Sequence, residues 1–257
     1  MSETTLLTSI PANSTTGDVY IDMGGYQSNR FHFLVPDAVV GGLHLVDNPV
    51  VDSKGYIYAT NSGNRGELTP VSVYRINSDH EKELYLTGIT NATSLAIGKD
   101  DSLYVASRFD GKIYRSQKQG QYEVFSQGLG TAFGLAVNSQ GEIFVGDRTG
   151  SIFKINQNSQ ASFLTSIPQS YIAFHIVIDS QDNLYVSNPV HMGENFIYRI
   201  DKKTGKRSVY YNGLSLFHGF IFDSQDNLYL AETKRNESRV IKIKDGKYLS
   251  TVLTGTN

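Results

Sequence analysis

The chain is predicted to be all-β, a six-bladed β-propeller with four-stranded antiparallel blades. Three observations predict this. The heptapeptide DSQDNLY occurs twice, at 179–185 and at 223–229. Five segments align around the last residue before a polar turn: LVDNPVVDSKGYIYAT, NATSLAIGKDDSLYVAS, TAFGLAVNSQGEIFVGD, AFHIVIDSQDNLYVSN and FHGFIFDSQDNLYLAE. Their anchors Asp52, Gly98, Asn138, Asp179 and Asp223 are spaced by 46, 40, 41 and 44 residues. Each unit also holds four short alternating stretches, and four strands repeating every ~40–45 residues are the signature of a propeller blade.

Within a unit, an apolar stretch ends at the anchor, a polar turn follows, and a second stretch carries an aromatic at Tyr58, Tyr104, Phe144, Tyr185 or Tyr229. Alternation on both sides of a short turn predicts two strands joined as a hairpin. A third strand repeats in VYR at Val73, IYR at Ile113, IFK at Ile152, IYR at Ile197 and VIK at Val240. A fourth closes each unit in ELYLTG, YEVFSQG, SFLTSIP, SVYYNG and LSTVLTG. The expected units 1 to 6 are 1–41, 42–88, 89–128, 129–168, 169–213 and 214–257, within one domain. Unit 1 admits two registers. Matching Tyr20 to the aromatic series places its first strand near Ser9, whereas matching TLLTSIP to SFLTSIP makes residues 5–11 an outer strand and DVYID the inner one. In either register residues 1–11 can close the ring against the last unit.

Composition narrows the function. With no Cys there is no disulfide, thiolate ligand or Cys nucleophile, and a net charge of −2 without charge blocks offers no footprint for nucleic acid or an anionic membrane. No apolar run approaches the ~20 residues of a membrane span, and SETTLLTSI lacks the basic start and apolar core of a secretory signal. A cytoplasmic protein with a small-molecule substrate is expected. No Gly-x-Ser-x-Gly elbow or phosphate loop is present.

The pattern of FHGFIFDSQDNLYLAE and TAFGLAVNSQGEIFVGD resembles the NHL and SMP-30/gluconolactonase/strictosidine-synthase-like group of six-bladed propellers, over roughly residues 41–257. Such repeats serve hydrolases, lyases, cyclases and binding scaffolds alike, so the resemblance implies fold before activity. In its metal-dependent members the residue five before each anchor supplies ligands at the axis. Here that ring reads Asp47, Thr93, Phe133, Phe174 and His218, with Ser9 or Gly17 from unit 1, and the next positions read Asn48, Ser94, Gly134, His175 and Gly219. Asp47, in DNPVVD, stands where the calcium-dependent members carry their first carboxylate, but Phe133 and Phe174 replace amide ligands. The resemblance therefore implies either no required cofactor or a divalent metal such as Ca held by His218 and Asp47.

One imidazole, one carboxylate, a second imidazole and two phenyl rings make acid–base equipment in an apolar pocket. The expected function is enzymatic: His218, Asp47 and His175 are the candidate catalytic residues, acting on an apolar or aromatic substrate in a cyclase, lyase or isomerase reaction. Phe133, Phe174, Thr93 and Asn48 are expected to contact substrate, joined by Arg108, Arg148, His191 and Glu232 from the loops of the same face. Two alternatives stand beside this, a divalent-metal lactonase or hydrolase of SMP-30 type and a non-catalytic propeller binding a protein or peptide. For Arg108 and Arg148 a loop-bracing role competes with carboxylate binding, and His175 can equally be a packing residue.

Overall fold

The computed structural model describes residues 14–33, 35, 39–43, 48–170, 175–234 and 237–256. The chain falls into two compact units, 1–39 and 40–257. The larger one contains five four-stranded antiparallel sheets, and in each the strands follow one another in chain order. Blades keep the numbers of their sequence units. Blade 2 is β3 (Val50–Val51), β4 (Ile57–Thr60), β5 (Val73–Ile76) and β6 (Lys82–Leu86). Blade 3 is β7 (Ala92–Ile97), β8 (Leu103–Ser107), β9 (Ile113–Lys118) and β10 (Gln121–Ser126). Blade 4 is β11 (Ala132–Val137), β12 (Ile143–Asp147), β13 (Ser151–Ile155) and β14 (Ala161–Ser166). Blade 5 is β15 (Ile176–Ile178), β16 (Leu184–Asn188), β17 (Asn195–Ile200) and β18 (Arg207–Gly213). Blade 6 is β19 (Leu216–Phe222), β20 (Leu228–Lys234), β21 (Glu237–Lys244) and β22 (Lys247–Thr256).

The all-β propeller with four-stranded antiparallel blades is thus present, but the described residues form five such blades where six were expected. The smaller unit shows a two-stranded sheet, β1 (Gly17–Val19) against β2 (Phe31–Phe33), with Gly17 opposite Phe33. The first strand expected near Ser9 in one register, and the outer strand 5–11 expected in the other, lie outside the described residues, whereas DVYID, the inner strand of the second register, overlaps β1, which pairs only with β2 among the described residues.

Alternation explains the packing. Along β8, Leu103 and Val105 join the cluster shared with blade 2, while Tyr104 and Ala106 join the cluster shared with blade 4. Blades 4 and 5 meet through Phe144, Ile152, Ile176 and Val186, and blades 5 and 6 through Tyr185, Phe217, Leu228 and Ile241. Successive side chains point to opposite faces of a strand, so blades 3, 4 and 5 bury both faces between their neighbours. The outer strands are far more exposed than the inner ones, as in β10 and β14.

The repeated heptapeptide is the first hairpin of a blade. Asp179 accepts the backbone N–H groups of Gln181 and Asn183 at 3.0 and 2.8 Å, and its other oxygen accepts the Tyr185 hydroxyl at 3.0 Å. Asp52 does the same for Lys54, Tyr56 and Tyr58. Asp182 and Asp226 complete their turns at φ of 64° and 57°, a left-handed conformation that Asp tolerates better than most residues. Hydrogen bonds to Asn227 hold the Asp223 carboxyl down at about 2.

Candidate active site

The site is built where the first strands begin. In blades 3, 4 and 6 the residue five before the anchor falls in an irregularity of the first hairpin: Thr93 between Ala92 and Ser94, Phe133 between Ala132 and Gly134, and His218 between Phe217 and Phe220. A bulge re-aims the side chain it carries. Thr93 is buried, donating its hydroxyl to the Asn91 carbonyl at 2.8 Å. Phe133 is half-buried and packs against the cluster between blades 4 and 5. His218 remains solvent-accessible, with Nε2 2.9 Å from the Thr233 hydroxyl, which lies 3.2 Å from that of Ser238.

The next ring converges. Asn48 of blade 2, in the left-handed region at φ 41°, places its Oδ1 2.7 Å from Nδ1 of His175 in blade 5 and its Nδ2 3.4 Å from the Ser94 hydroxyl in blade 3. Glycine at 219 leaves this space open, since a Cβ there would lie 3.9 Å from the same Asn48 oxygen. An amide oxygen only accepts, so His175 donates from Nδ1 and carries its lone pair on Nε2. The Ser187 hydroxyl accepts the His175 backbone N–H at 3.1 Å. His175 is 7% exposed, and burial, followed by the nearby His218 imidazole, pushes its pKa down to about 4. It is neutral at physiological pH. Partial desolvation also lowers the pKa of His218.

Beyond this polar bridge lies a cavity of about 520 Å³ lined by the first strands of all five blades, through Val50, Leu95, Leu135, Ile176 and Phe220. Apolar walls of this kind hold a ligand by area, leaving orientation to the few polar groups beside it.

The other expected residues are more scattered. Arg108 donates from Nη2 to the Gly63 carbonyl at 3.0 Å, a loop-bracing bond, and its buried Nε has no partner among the described residues. Arg148 is half-buried and its backbone N–H bonds the Thr131 carbonyl at 3.1 Å, whereas His191 is exposed. Glu232 is 2% exposed and its Oε1 takes both Nε and Nη2 of Arg239, at 2.7 and 2.5 Å. Asp47 and Phe174 lie outside the described residues. Spacing had placed Ser94 in the second ring without giving it a role, and had not selected Thr233, Ser238 or Arg239. Only the cross-strand registers Leu216↔Thr233 and Thr233↔Ser238 would have pointed to the pair around His218.

Among the described residues no three His, Asp or Glu side chains are grouped to hold a metal ion. The ring offers a hydroxyl, a phenyl and an imidazole where a calcium ion needs ~6–8 oxygens, so the described donors do not fit one. No helix among the described residues is long and apolar enough to cross a membrane.

No family model matches the sequence, and no curated protein matches it. Solved structures do. Virginiamycin B lyase from Staphylococcus aureus aligns at a TM-score of 0.60 and 17% identity over 82% of this chain and 69% of that one. A gluconolactonase from Xanthomonas campestris aligns at 0.67 and 15% over 83% and 77%, and the calcium-binding protein regucalcin from Agrobacterium tumefaciens at 0.60 and 15% over 81% and 74%. The class is therefore an all-β propeller. Within that class its fold is similar to those of the gluconolactonase and virginiamycin B lyase structures.

Proposed function

We propose that the chain is an enzyme using histidine acid–base chemistry at the mouth of its apolar channel, in a lyase, cyclase or isomerase reaction on an apolar or aromatic organic substrate. The observation that carries this is His175, buried, neutral and held in one tautomer by Asn48 at the head of a 520 Å³ apolar cavity. A depressed imidazole with its lone pair on Nε2 accepts a proton only at a well-placed acidic group. His218, more accessible and backed by Thr233, is the better proton donor or acceptor toward solvent. Ser62 Oγ, Arg108 Nε and Asn188 Oδ1, all at or just past the ends of second strands, are buried with no hydrogen-bond partner among the described residues. A likeness in fold adds support: one structure of the Staphylococcus lyase, with quinupristin, is of a catalytically inactive His-to-Ala variant.

A panel of lactones and cyclic esters including quinupristin, followed by mass spectrometry, tests the reading. Turnover by wild type should fall about 10²- to 10⁴-fold in His218→Gln. Turnover undiminished in both His218→Gln and His175→Gln overturns it, and turnover abolished by chelation moves the divalent-metal hydrolase to the front.

We propose further that residues 1–41 supply the sixth blade. The pairing of Gly17–Val19 with Phe31–Phe33 supports this, since it has the antiparallel form of the second and third strands elsewhere, just before the aromatic Tyr20. A truncation beginning at Val40 should then melt at lower temperature and with less cooperativity. An unchanged melt overturns it.

A further inference from the structure

Three of the four junctions between consecutive blades carry the same clasp. The residue after the anchor of one blade gives its N–H and its hydroxyl to the two oxygens of an Asp in the next blade. Ser53 gives them to Asp101 at 3.1 and 2.5 Å, Ser139 to Asp182 at 2.8 and 2.6 Å, and Ser180 to Asp226 at 2.9 and 2.6 Å. Each of these Asp residues sits at positive φ, between 56° and 64°.

The junction between blades 3 and 4 lacks it. Lys99 stands in the serine position and Gly141, at φ 75°, in the aspartate position. Neither the Lys99 N–H nor its exposed ammonium has a partner among the described residues. The space an Asp side chain would fill is open: a Cβ on Gly141 would meet only the Gln157 Nε2, at 3.5 Å. That space is part of a cavity of about 390 Å³, lined by Lys99, Asp100, Tyr104, Arg115, Phe125 and Gln157 among others. Its floor is aromatic, Tyr104 and Phe125 meeting edge to face at 5.3 Å. Arg115 is bound to Asp100 at 2.9 Å, so the charge left over in the lining is the single positive one of Lys99.

We propose that this junction binds a small organic carboxylate with an aromatic or apolar body, its carboxyl group taking the place that an Asp side chain fills at the other three junctions. The backbone N–H and ammonium of Lys99 replace the N–H and hydroxyl of the serine, a substitution suited to an unattached anion because the cation adds attraction that a tethered carboxylate does not need. Tyr104 and Phe125 receive the body of the ligand by edge or face contact. The site lies at the opposite end of β7 from Ser94, so it is separate from the channel mouth and does not depend on the proposed reaction.

Benzoate is the probe, with benzyl alcohol as its uncharged counterpart and inorganic phosphate as a plain anion. Millimolar benzoate is expected to raise the melting temperature of the wild-type chain and to shift the amide resonances of Lys99, Gly141 and Gln157, with neither control doing so. The double variant Lys99→Ser/Gly141→Asp rebuilds the clasp; it should melt higher without ligand and bind benzoate at least about tenfold more weakly, the loss of one charge-assisted contact. Lys99→Met, which leaves the turn intact, should weaken benzoate to the same degree if the double variant folds poorly. Benzoate shifts absent from these residues, binding retained in both variants, or an equal response to phosphate each overturn the proposal.

Discussion

His175 and Asn48, 127 residues apart in sequence, meet at 2.7 Å and tie blade 5 to blade 2 across the channel mouth. The bond has a consequence for stability, because it uses the neutral imidazole in a site that burial closes to the charged one. With a folded pKa of about 4 against an ordinary 6.5, the unfolded chain holds more protons on this residue between those values. Stability therefore rises with pH across that window and levels off above it, by up to about 3 kcal/mol from His175. His218, also depressed, adds with the same sign. The lowered carboxyls of Asp182 and Asp223, both near 2, act in the same direction but only as pH falls below the carboxylate range. Denaturant unfolding of wild type and His175→Gln across about pH 4 to 7 checks this. The variant should lose most of the slope, and an identical slope in both would show that His175 is not the group responsible.

Phe133 is expected to affect stability more than binding. It sits in the irregularity between Ala132 and Gly134 and packs against the cluster of Ala136, Phe144 and Ile176 rather than along the walls of the channel. Phe133→Leu should lower the stability by up to about 1.5 kcal/mol, and the melting temperature with it, since a branched aliphatic chain fills only part of the place of a half-buried ring. Thermal melts beside ligand titrations decide the matter. An unchanged melt with altered binding would return Phe133 to the pocket.

These two residues show what sequence could and could not reveal. The turn chemistry was legible because it is local: a side-chain oxygen at the anchor in four of the five units, an Asp or Gly three residues on and an aromatic at the sixth position recur in one hairpin. Ring positions were legible from spacing. Which ring members touch was not, because Asn48 and His175 meet only through the arrangement of whole blades. The side-chain directions of Thr93, Phe133 and His218 were not legible either, since each occupies a bulge that breaks the two-residue alternation. The three-fold repeat of the Ser–Asp clasp was written in the anchors, but its meaning needed the junction geometry that pairs one blade with the next.

Glu232 provides the last test, because its position after the second strand suggested contact with substrate whereas its bonds point elsewhere. The carboxylate is buried beneath Arg239, its cross-strand partner, whose guanidinium side is 28% exposed. It lies directly across from Phe217 of β19, which is fully buried between blades 5 and 6. Removing one member of such a pair strands the other, so Glu232→Ala should cost about 2–4 kcal/mol, somewhat below a fully buried pair because water reaches Arg239. Arg239→Met alone leaves an unpaired carboxylate and should cost a similar amount. The double variant Glu232→Leu/Arg239→Met should recover much of the loss, giving a coupling energy of about 1–3 kcal/mol. Measured with turnover on the same proteins, a structural Glu232 changes the melt and leaves KM near wild type in the variants that remain folded. A raised KM with an unchanged melt in Glu232→Gln would instead place the carboxylate in contact with substrate, and the Arg239 bond would then be the means of aiming it.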